Sequence, residues 1–363
     1  MQKKAGHGRA AGARTMRDPI EIGGVVVKPG NRKLIDVPIP DLYTHTALTI
    51  PVQVINGKKD GPRLFICAAL HGDEINGVEI IRRLLKLRSM SRVKGTVIAV
   101  PVVNVYGFIN QTRYLPDRRD LNRSFPGSGS GSLAARLSHV FLQEIASKST
   151  HGIDLHTAAI HRDNLPQVRA YLVDKETNRM ARSFCAPVVL NTSLVEGSMR
   201  QALEKIGIPV IVYEAGEALR FNEVAIRAGV KGIVNVMREL GMLPRLKTPR
   251  TTLEPLVAKS SMWVRAPQSG ILRNITPLGT VVEKNQLLGI IADPFGEKEA
   301  QVLATISGIV IGRTNIPLVN EGEGLFHIAR FKEVDSVADT LDVFQQEMDP
   351  DTDLKTPSEP PIV

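Results

Sequence analysis

Apolar residues fall along this chain in two alternating textures. Leu64-Phe-Ile-Cys-Ala-Ala-Leu70 and Thr96 to Val103 are short, nearly continuous apolar runs, the pattern of strands buried on both faces. Gly77 to Leu87 follows the first run with apolar residues at helical spacing. Ser132 to Ala146 repeats that spacing and is opened by serines after Gly127-Ser-Gly-Ser-Gly-Ser132, predicting an amphipathic helix. Gly152 to His156, Arg169 to Val173 and Ile208 to Glu214 predict further short strands, with helices between and after them; Ala158 to Val168 reads as a loop. Strands alternating with helices predict an α/β domain built on a largely parallel or mixed sheet. Ahead of it, from Ile20 to Pro62, Val- and Ile-rich runs broken by Gly, Pro and Asp predict strands and turns.

The texture changes near Pro244. Residues 244–262 contain three prolines and several polar residues and read as a linker. Residues 263–332 contain short apolar runs, spaced glycines and no helical period, which predicts a small all-β, barrel-like domain. The chain therefore divides into a disordered basic head (1–18), a catalytic domain (19–243), the linker, the β domain and an acidic tail (333–363). The Pro-rich end of that tail, from about Glu347, reads as disordered.

Charge and composition narrow the function. The net charge is +9, but it is spread unevenly: residues 1–18 carry five basic and one acidic side chain, residues 333–363 nine acidic and one basic. Between them the excess Arg and Lys are mostly dispersed, a pattern suited to small anionic substrates or solubility rather than to nucleic acid. Aromatic residues make up only 4%, with one Trp and five Tyr, too few for a base- or sugar-stacking platform. Cys67 and Cys185 are the only cysteines, each in an apolar run, so a disulfide framework is not expected and a reducing cytoplasm fits. The basic N-terminus lacks the apolar core of a secretory signal, and no window is apolar for long enough to span a membrane. The expectation is a soluble cytoplasmic protein.

The chemistry concentrates in four segments. Leu70-His71-Gly72-Asp73-Glu74-Ile75-Asn76-Gly77 sits between a buried strand and a helix, where a tight turn can bring an imidazole and a carboxylate to one ion. A catalytic zinc takes three such protein ligands and keeps one position open. The third is His156, 82 residues beyond Glu74, at the end of the short strand Gly152-Ile-Asp-Leu-His156. Asp154 shares a strand face with His156 and is a candidate to orient a ligand or a neighbouring group. Between these lies a long loop, Asn110 to Gly127, in which Arg113 and Arg123 are candidates to grip a substrate carboxylate and Asn122 to add a neutral donor. Val212-Tyr-Glu214-Ala-Gly-Glu217 ends a buried strand in a carboxylate. Glu214 is the candidate general base; Glu217, beyond the glycine, is expected to face solvent. His161 and Arg162 are read as solvated.

Taken together, H-G-D-E-x-N-G, D-L-N-R, D-L-H-T and E-A-G, between about Arg63 and Gly241, resemble the succinylglutamate desuccinylase and aspartoacylase family, relatives of the zinc carboxypeptidases. The resemblance implies a mixed sheet flanked by helices and one zinc per chain, held by His71, Glu74 and His156. It also implies Glu214 as general base, Asn122 and Arg123 orienting substrate, and Arg113 meeting a substrate carboxylate and stabilising the oxyanion. Its implied activity is hydrolysis of an amide in a small anionic N-acylated substrate. A peptide-cleaving carboxypeptidase or an inert metal-binding protein are the alternatives. The segments Ala266-Pro-Gln-Ser-Gly270, Gly279 to Gly289 and Ile306-Ser-Gly308 resemble a lipoyl- or biotinyl-carrier barrel, but the stretch holding Lys298 lacks the usual neighbours of a modified lysine. The module is therefore read as structural, narrowing the site mouth or supporting a homo-oligomer.

Overall fold

The computed structural model describes residues 17–245 and 255–331, with residues 341, 343, 344 and 346–348 of the tail. The expected basic head and acidic tail thus lie largely outside the described residues. No helix among those described is long and apolar enough to cross a membrane.

The chain opens with a hairpin, Ile20–Ile22 (β1) and Val25–Val27 (β2), and continues through Arg32–Ile39 (β3), Leu48–Asn56 (β4) and Lys59–Ala68 (β5). Asn76–Lys86 (α1), Lys94–Val100 (β6), Val105–Ile109 (α2), Leu133–Glu144 (α3), His151–Ala158 (β7) and Arg162–Ala170 (β8) follow. Then come Lys175–Phe184 (α4), Val188–Asn191 (β9), Met199–Glu204 (α5), Val210–Glu217 (β10) and Glu223–Glu239 (α6). Side chains close the open N-terminal turns of five of these helices, α2 to α6, three of which show the pattern. Ser132 Oγ accepts from the Ala135 N–H, Asp174 Oδ1 from Thr177 and Asn222 Oδ1 from Ala225.

The central strands β5, β6, β7 and β10 run parallel, while β4 is antiparallel to β3 and β6 and β8 is antiparallel to β10, so the sheet is mixed. Period-two alternation divides β5 between two cores. Leu64, Ile66 and Ala68 pack with α1, α4 and α6, whereas Phe65 and Cys67 pack with α3, α5 and the β1–β2 hairpin. Burial on both faces explains why β5 and β6 read as continuous apolar runs.

The C-terminal part adds Leu256–Ala258 (β11), Ser260–Arg265 (β12), Gly270–Asn274 (β13), Val281–Val282 (β14), Leu287–Ala292 (β15), Glu299–Leu303 (β16), Gly308–Thr314 (β17), Leu318–Val319 (β18) and Gly324–Arg330 (β19). Strands β16-β15-β13-β18 form a small sheet over an apolar core shared with β12, β17 and β19, and these three continue the central sheet in the order β12-β19-β17-β8-β10-β7-β5-β6-β4-β3. The seam is the antiparallel β17–β8 pair, with Gly312 opposite Asn164 and Thr314 opposite Arg162. Residues 256–262, expected to be linker, are β11 and the start of β12, and β11 pairs with β9.

Three further expectations are corrected. The segment Ala158 to Val168 is not a loop: a short turn leads into β8, which is bonded on both sides. Arg17, within the expected disordered head, donates to Asn56 Oδ1 (2.6 Å), the Gly95 carbonyl (2.6 Å) and Thr96 Oγ1 (2.7 Å). At the start of the end expected to be disordered from about Glu347, Met348 is buried with Phe344 in the core shared with α4 and α6; earlier in the tail, Leu341 packs against β17 and β19 residues.

Candidate active site

The site gathers at the carboxyl ends of β5, β7 and β10, where open α/β sheets place their ligands. Beyond β5, Ala69 adopts a left-handed conformation (φ 48°), turning the chain out of the sheet toward His71 and Glu74. Gly72 between them passes against α2 so closely that a Cβ would lie 1.9 Å from the Gly107 carbonyl carbon. Asn76 then ties this turn to the end of β10, donating to the Ala215 carbonyl and accepting from the Asn222 N–H. The same segment that carries two site residues is thereby fixed to the strand carrying Glu214.

His71, Glu74 and His156 come together as expected. All three are buried, and their donor atoms lie within 4.8 Å of one another. His71 Nδ1 is 2.8 Å from Glu74 Oε1, and His156 Nδ1 is 2.6 Å from Glu74 Oε2. Behind them, His71 Nε2 meets Asp120 Oδ1 at 3.1 Å and His156 Nε2 meets Asp154 Oδ2 at 2.7 Å. Cys67 donates its thiol to the other Asp154 oxygen at 3.3 Å.

This arrangement tests whether a cation fits. A neutral imidazole carries one N–H. With that proton on Nε2, donated to Asp120 or Asp154, each Nδ1 aims a lone pair at a carboxylate. Three converging lone-pair donors in a buried place need a positive charge between them. The proton affinities report the same demand. Burial alone would lower the His156 pKa, but Asp154 and Glu74 outweigh it and hold it well above its ordinary value. Burial alone would raise the Glu74 pKa, yet the two imidazoles hold it far below the usual carboxylate range. Two imidazoles and one carboxylate, each fixed from behind, form a donor set that fits a metal ion with open positions toward the cavity.

Arg113 bridges Glu74 Oε1 (3.2 Å) and Asp120 Oδ2 (3.0 Å), so it stands at the edge of the donor set. Asn122 spends its side-chain oxygen on the Met199 N–H at 3.0 Å, which anchors the start of α5. Arg123 is exposed and donates to the Asn122 carbonyl. Glu214 is the neighbour of His156 across β10 and β7. Its Oε2 accepts from Arg169 (2.8 Å) and Asn164 (3.1 Å), while its Oε1 has no protein partner among the described residues. Glu217, expected to face solvent, is a clamp: it accepts from the His161 N–H and from Asn315 Nδ2, fixing the β7–β8 turn to the C-terminal region.

Sequence reasoning missed Asp120, Asn164, Arg169, Arg200 and Trp263. Asp120 was within reach, as the first residue of D-L-N-R. The others belong to no motif, and only the folded chain brings them to the site. They line a cavity of about 280 Å³ together with His71, Glu74, His156, Glu214, Arg113 and Arg162. Arg162 is therefore a pocket residue rather than a solvated loop residue. Arg200 donates to Thr192 Oγ1 and the Ser193 carbonyl. Burial, reinforced by the nearby Arg169 charge, lowers its pKa, so an anion beside it would be favoured.

Known proteins share this architecture. Residues 60–240 match the succinylglutamate desuccinylase/aspartoacylase catalytic domain. The chain is 26% identical over 302 residues to an N-alpha-acetyl-L-2,4-diaminobutyric acid deacetylase from Halomonas elongata, covering 79% of this chain and 87% of that protein. It is 25% identical to the succinylglutamate desuccinylase/aspartoacylase structure from Rhodobacter sphaeroides, with a TM-score of 0.73 over 83% of this chain and 96% of that one. The product-bound ectoine utilization protein from Ruegeria pomeroyi shares the fold at 23% identity and a TM-score of 0.75, covering 82% and 95% of the two chains. These matches span a larger share of the chain than residues 60–240. The chain belongs to the succinylglutamate desuccinylase/aspartoacylase family.

Proposed function

We propose that this chain is a zinc-dependent deacylase that hydrolyses the amide bond of a small N-acyl amino acid. The observation that carries the reading is the buried His71–Glu74–His156 group, flanked on the next strand by a carboxylate with one oxygen left unpartnered. When bound there, zinc polarises a carbonyl and lowers the pKa of a water toward about 7.

The chain's own residues account for the rest. Arg169 and Asn164 hold Glu214 through Oε2, so Oε1 is the atom that takes a proton from the attacking water. That oxygen then delivers the proton to the departing amine nitrogen. Hydrolysis places the hydroxyl of one water on the acyl carbon and its remaining proton on the amine, with no other reactant. Arg113, kept at the edge of the donor set by Glu74 and Asp120, faces the negative charge that develops on the carbonyl oxygen. Asn122, Arg123 and Arg200 orient the substrate carboxylate, Asn122 through its amide nitrogen, which has no partner among the described residues.

The size of the cavity favours a small substrate over a peptide. The activity named for the Halomonas elongata relative, removal of an acetyl group from an amino acid, points the same way. The test is acyl release from a panel of N-acetyl and N-succinyl amino acids and short peptides by zinc-loaded protein. Glu214→Gln is expected to retain zinc and to lose turnover by about 10²-fold or more. A Gln variant as active as the parent would remove Glu214 from the role, and preference for peptides would replace the deacylase with a carboxypeptidase.

A further inference from the structure

Five arginines line the cavity, and their partners are unequal. Arg113 is paired with Glu74 and Asp120, and Arg169 with Glu214. Arg123, Arg162 and Arg200 have no ion-pair partner among the described residues. One substrate carboxylate can be met by Asn122, Arg123 and Arg200, which line the same cavity. Arg162, at the start of β8, lies on a different wall, where β8 meets the C-terminal strands.

That wall is a stack. Trp263 on β12 lies opposite His327 on β19, and the two rings are parallel within 6° with centroids 4.8 Å apart. Gly324 lies under the indole, where a Cβ would come within 3.0 Å of the ring. The Arg162 guanidinium carbon sits 5.0 Å from the indole centroid, and its strand position is set by pairing with Thr314 across the seam. Burial drives the His327 pKa down to about 3, so the ring backs the indole without adding charge. Glu323 is close enough to sense the Arg162 charge, but its carboxylate accepts from Asn320 Nδ2 at 2.9 Å. A guanidinium laid on an aromatic face loses freedom but keeps its N–H edges, the arrangement that grips carboxylates in paired bonds.

We propose that Arg162, laid over Trp263, is a carboxylate clamp that receives a second, distal anionic group of the substrate. The C-terminal β region thereby supplies a specificity subsite. The substrate class becomes an N-acyl amino acid with two separated carboxylates, whether the second one lies on the acyl group or on the amino acid. A cationic side chain of the diamino acid type would meet like charge at Arg162. The identification of the substrate rests on the deacylase reading; the clamp itself is an anion site that can be tested without turnover.

Trp263 is the only tryptophan of the chain, so its fluorescence reports the subsite directly. Zinc-loaded protein is titrated with glutarate and, for comparison, butyrate. A saturable change with glutarate is expected, with binding weakened about tenfold or more in Arg162→Gln. Equal responses to both acids, or a variant that binds glutarate like the parent, would overturn the clamp. The second arm compares N-acetylglutamate (distal carboxylate on the amine side), N-succinylalanine (on the acyl side), N-acetylalanine and an N-acetyldiaminobutyrate. A dicarboxylate is expected to be preferred, and Arg162→Gln to erase that preference through KM rather than kcat. Equal losses on all four substrates would overturn the clamp while leaving the deacylase standing. A glutarate response without turnover of any N-acyl compound would retain the clamp and remove the deacylase reading. Thermal melting and zinc content of the variant confirm that it is folded.

Discussion

Replacing Asp154 with Asn removes a charge behind the proposed metal site while keeping its shape. In the native chain Asp154 is fully buried, accepts from His156 Nε2 at 2.7 Å through one oxygen and takes the Cys67 thiol at 3.3 Å through the other. In the Asn variant the amide oxygen still accepts from His156, and the amide nitrogen turns to the Cys67 sulfur, a weak acceptor. The bond survives but changes from charge-assisted to neutral, a difference of about 1–1.5 kcal/mol, or roughly tenfold in metal affinity. Asp154→Ala goes further, because the His156 N–H is then buried without an acceptor. That costs about 1–3 kcal/mol more, which places the variant toward a 100-fold loss. Competition between the protein and a chromophoric chelator for zinc at neutral pH measures both, with circular dichroism to confirm folding. The reasoning predicts a graded series: parent, Asn, Ala. Parental affinity in the Ala variant would show that Asp154 does not hold the ligand, and equal losses in both would show that charge plays no part.

Three other outcomes follow from the packing. Gly72→Ala would place a Cβ 1.9 Å from the Gly107 carbonyl carbon, so the turn holding His71 and Glu74 must shift; zinc content after dialysis is expected to fall well below one per chain, and full loading would contradict this. Phe344→Ala empties a buried site in the core shared with α4 and α6 and should cost about 3–5 kcal/mol in urea unfolding, whereas a change within 0.5 kcal/mol, roughly the range of a surface substitution, would detach the tail from that core. His327 is held neutral by burial, its pKa lowered from 6.5 to about 3, so between those values the unfolded chain binds a proton that the folded chain refuses. Stability attributable to this group is therefore complete above about pH 6.5 and is lost as pH falls, at up to about 1.4 kcal/mol per unit. His327→Phe should flatten that acid limb in denaturation curves taken from pH 7 to pH 4, and an unchanged slope would exclude the group.

The parts of the site that could be read from the sequence are those whose neighbours are covalent. His71 and Glu74 share one turn, His156 and Glu214 each end an apolar strand, and apolar strands announce themselves by composition. β8 could not be read that way. Arg162-Asp-Asn-Leu-Pro-Gln-Val-Arg-Ala170 is polar and contains a proline, both of which argue against an interior strand. It is a strand because β10 and β17 both bond to it, and the proline is accommodated at a bulge. Between the Gln167–Glu214 and Asn164–Gly216 pairs, Leu165 and Pro166 face the single residue Ala215. Its polar side chains are not signs of solvent: Asn164 and Arg169 hold the general-base candidate, and Arg162 reaches the pocket. The same cause hid the role of the C-terminal region. Read alone, its short strands predict a separate barrel, because the partner that turns β17 into an extension of the central sheet is a polar strand about 150 residues earlier. Gly312 is where this shows most clearly. A Cβ there would meet Asn164 Oδ1 at 2.7 Å and His327 Cβ at 3.3 Å. That glycine keeps the row from Trp263 through His327 to Asn164 close enough to reach Glu214. A glycine in a β segment says only that something approaches closely; what approaches here is the other half of the candidate active site.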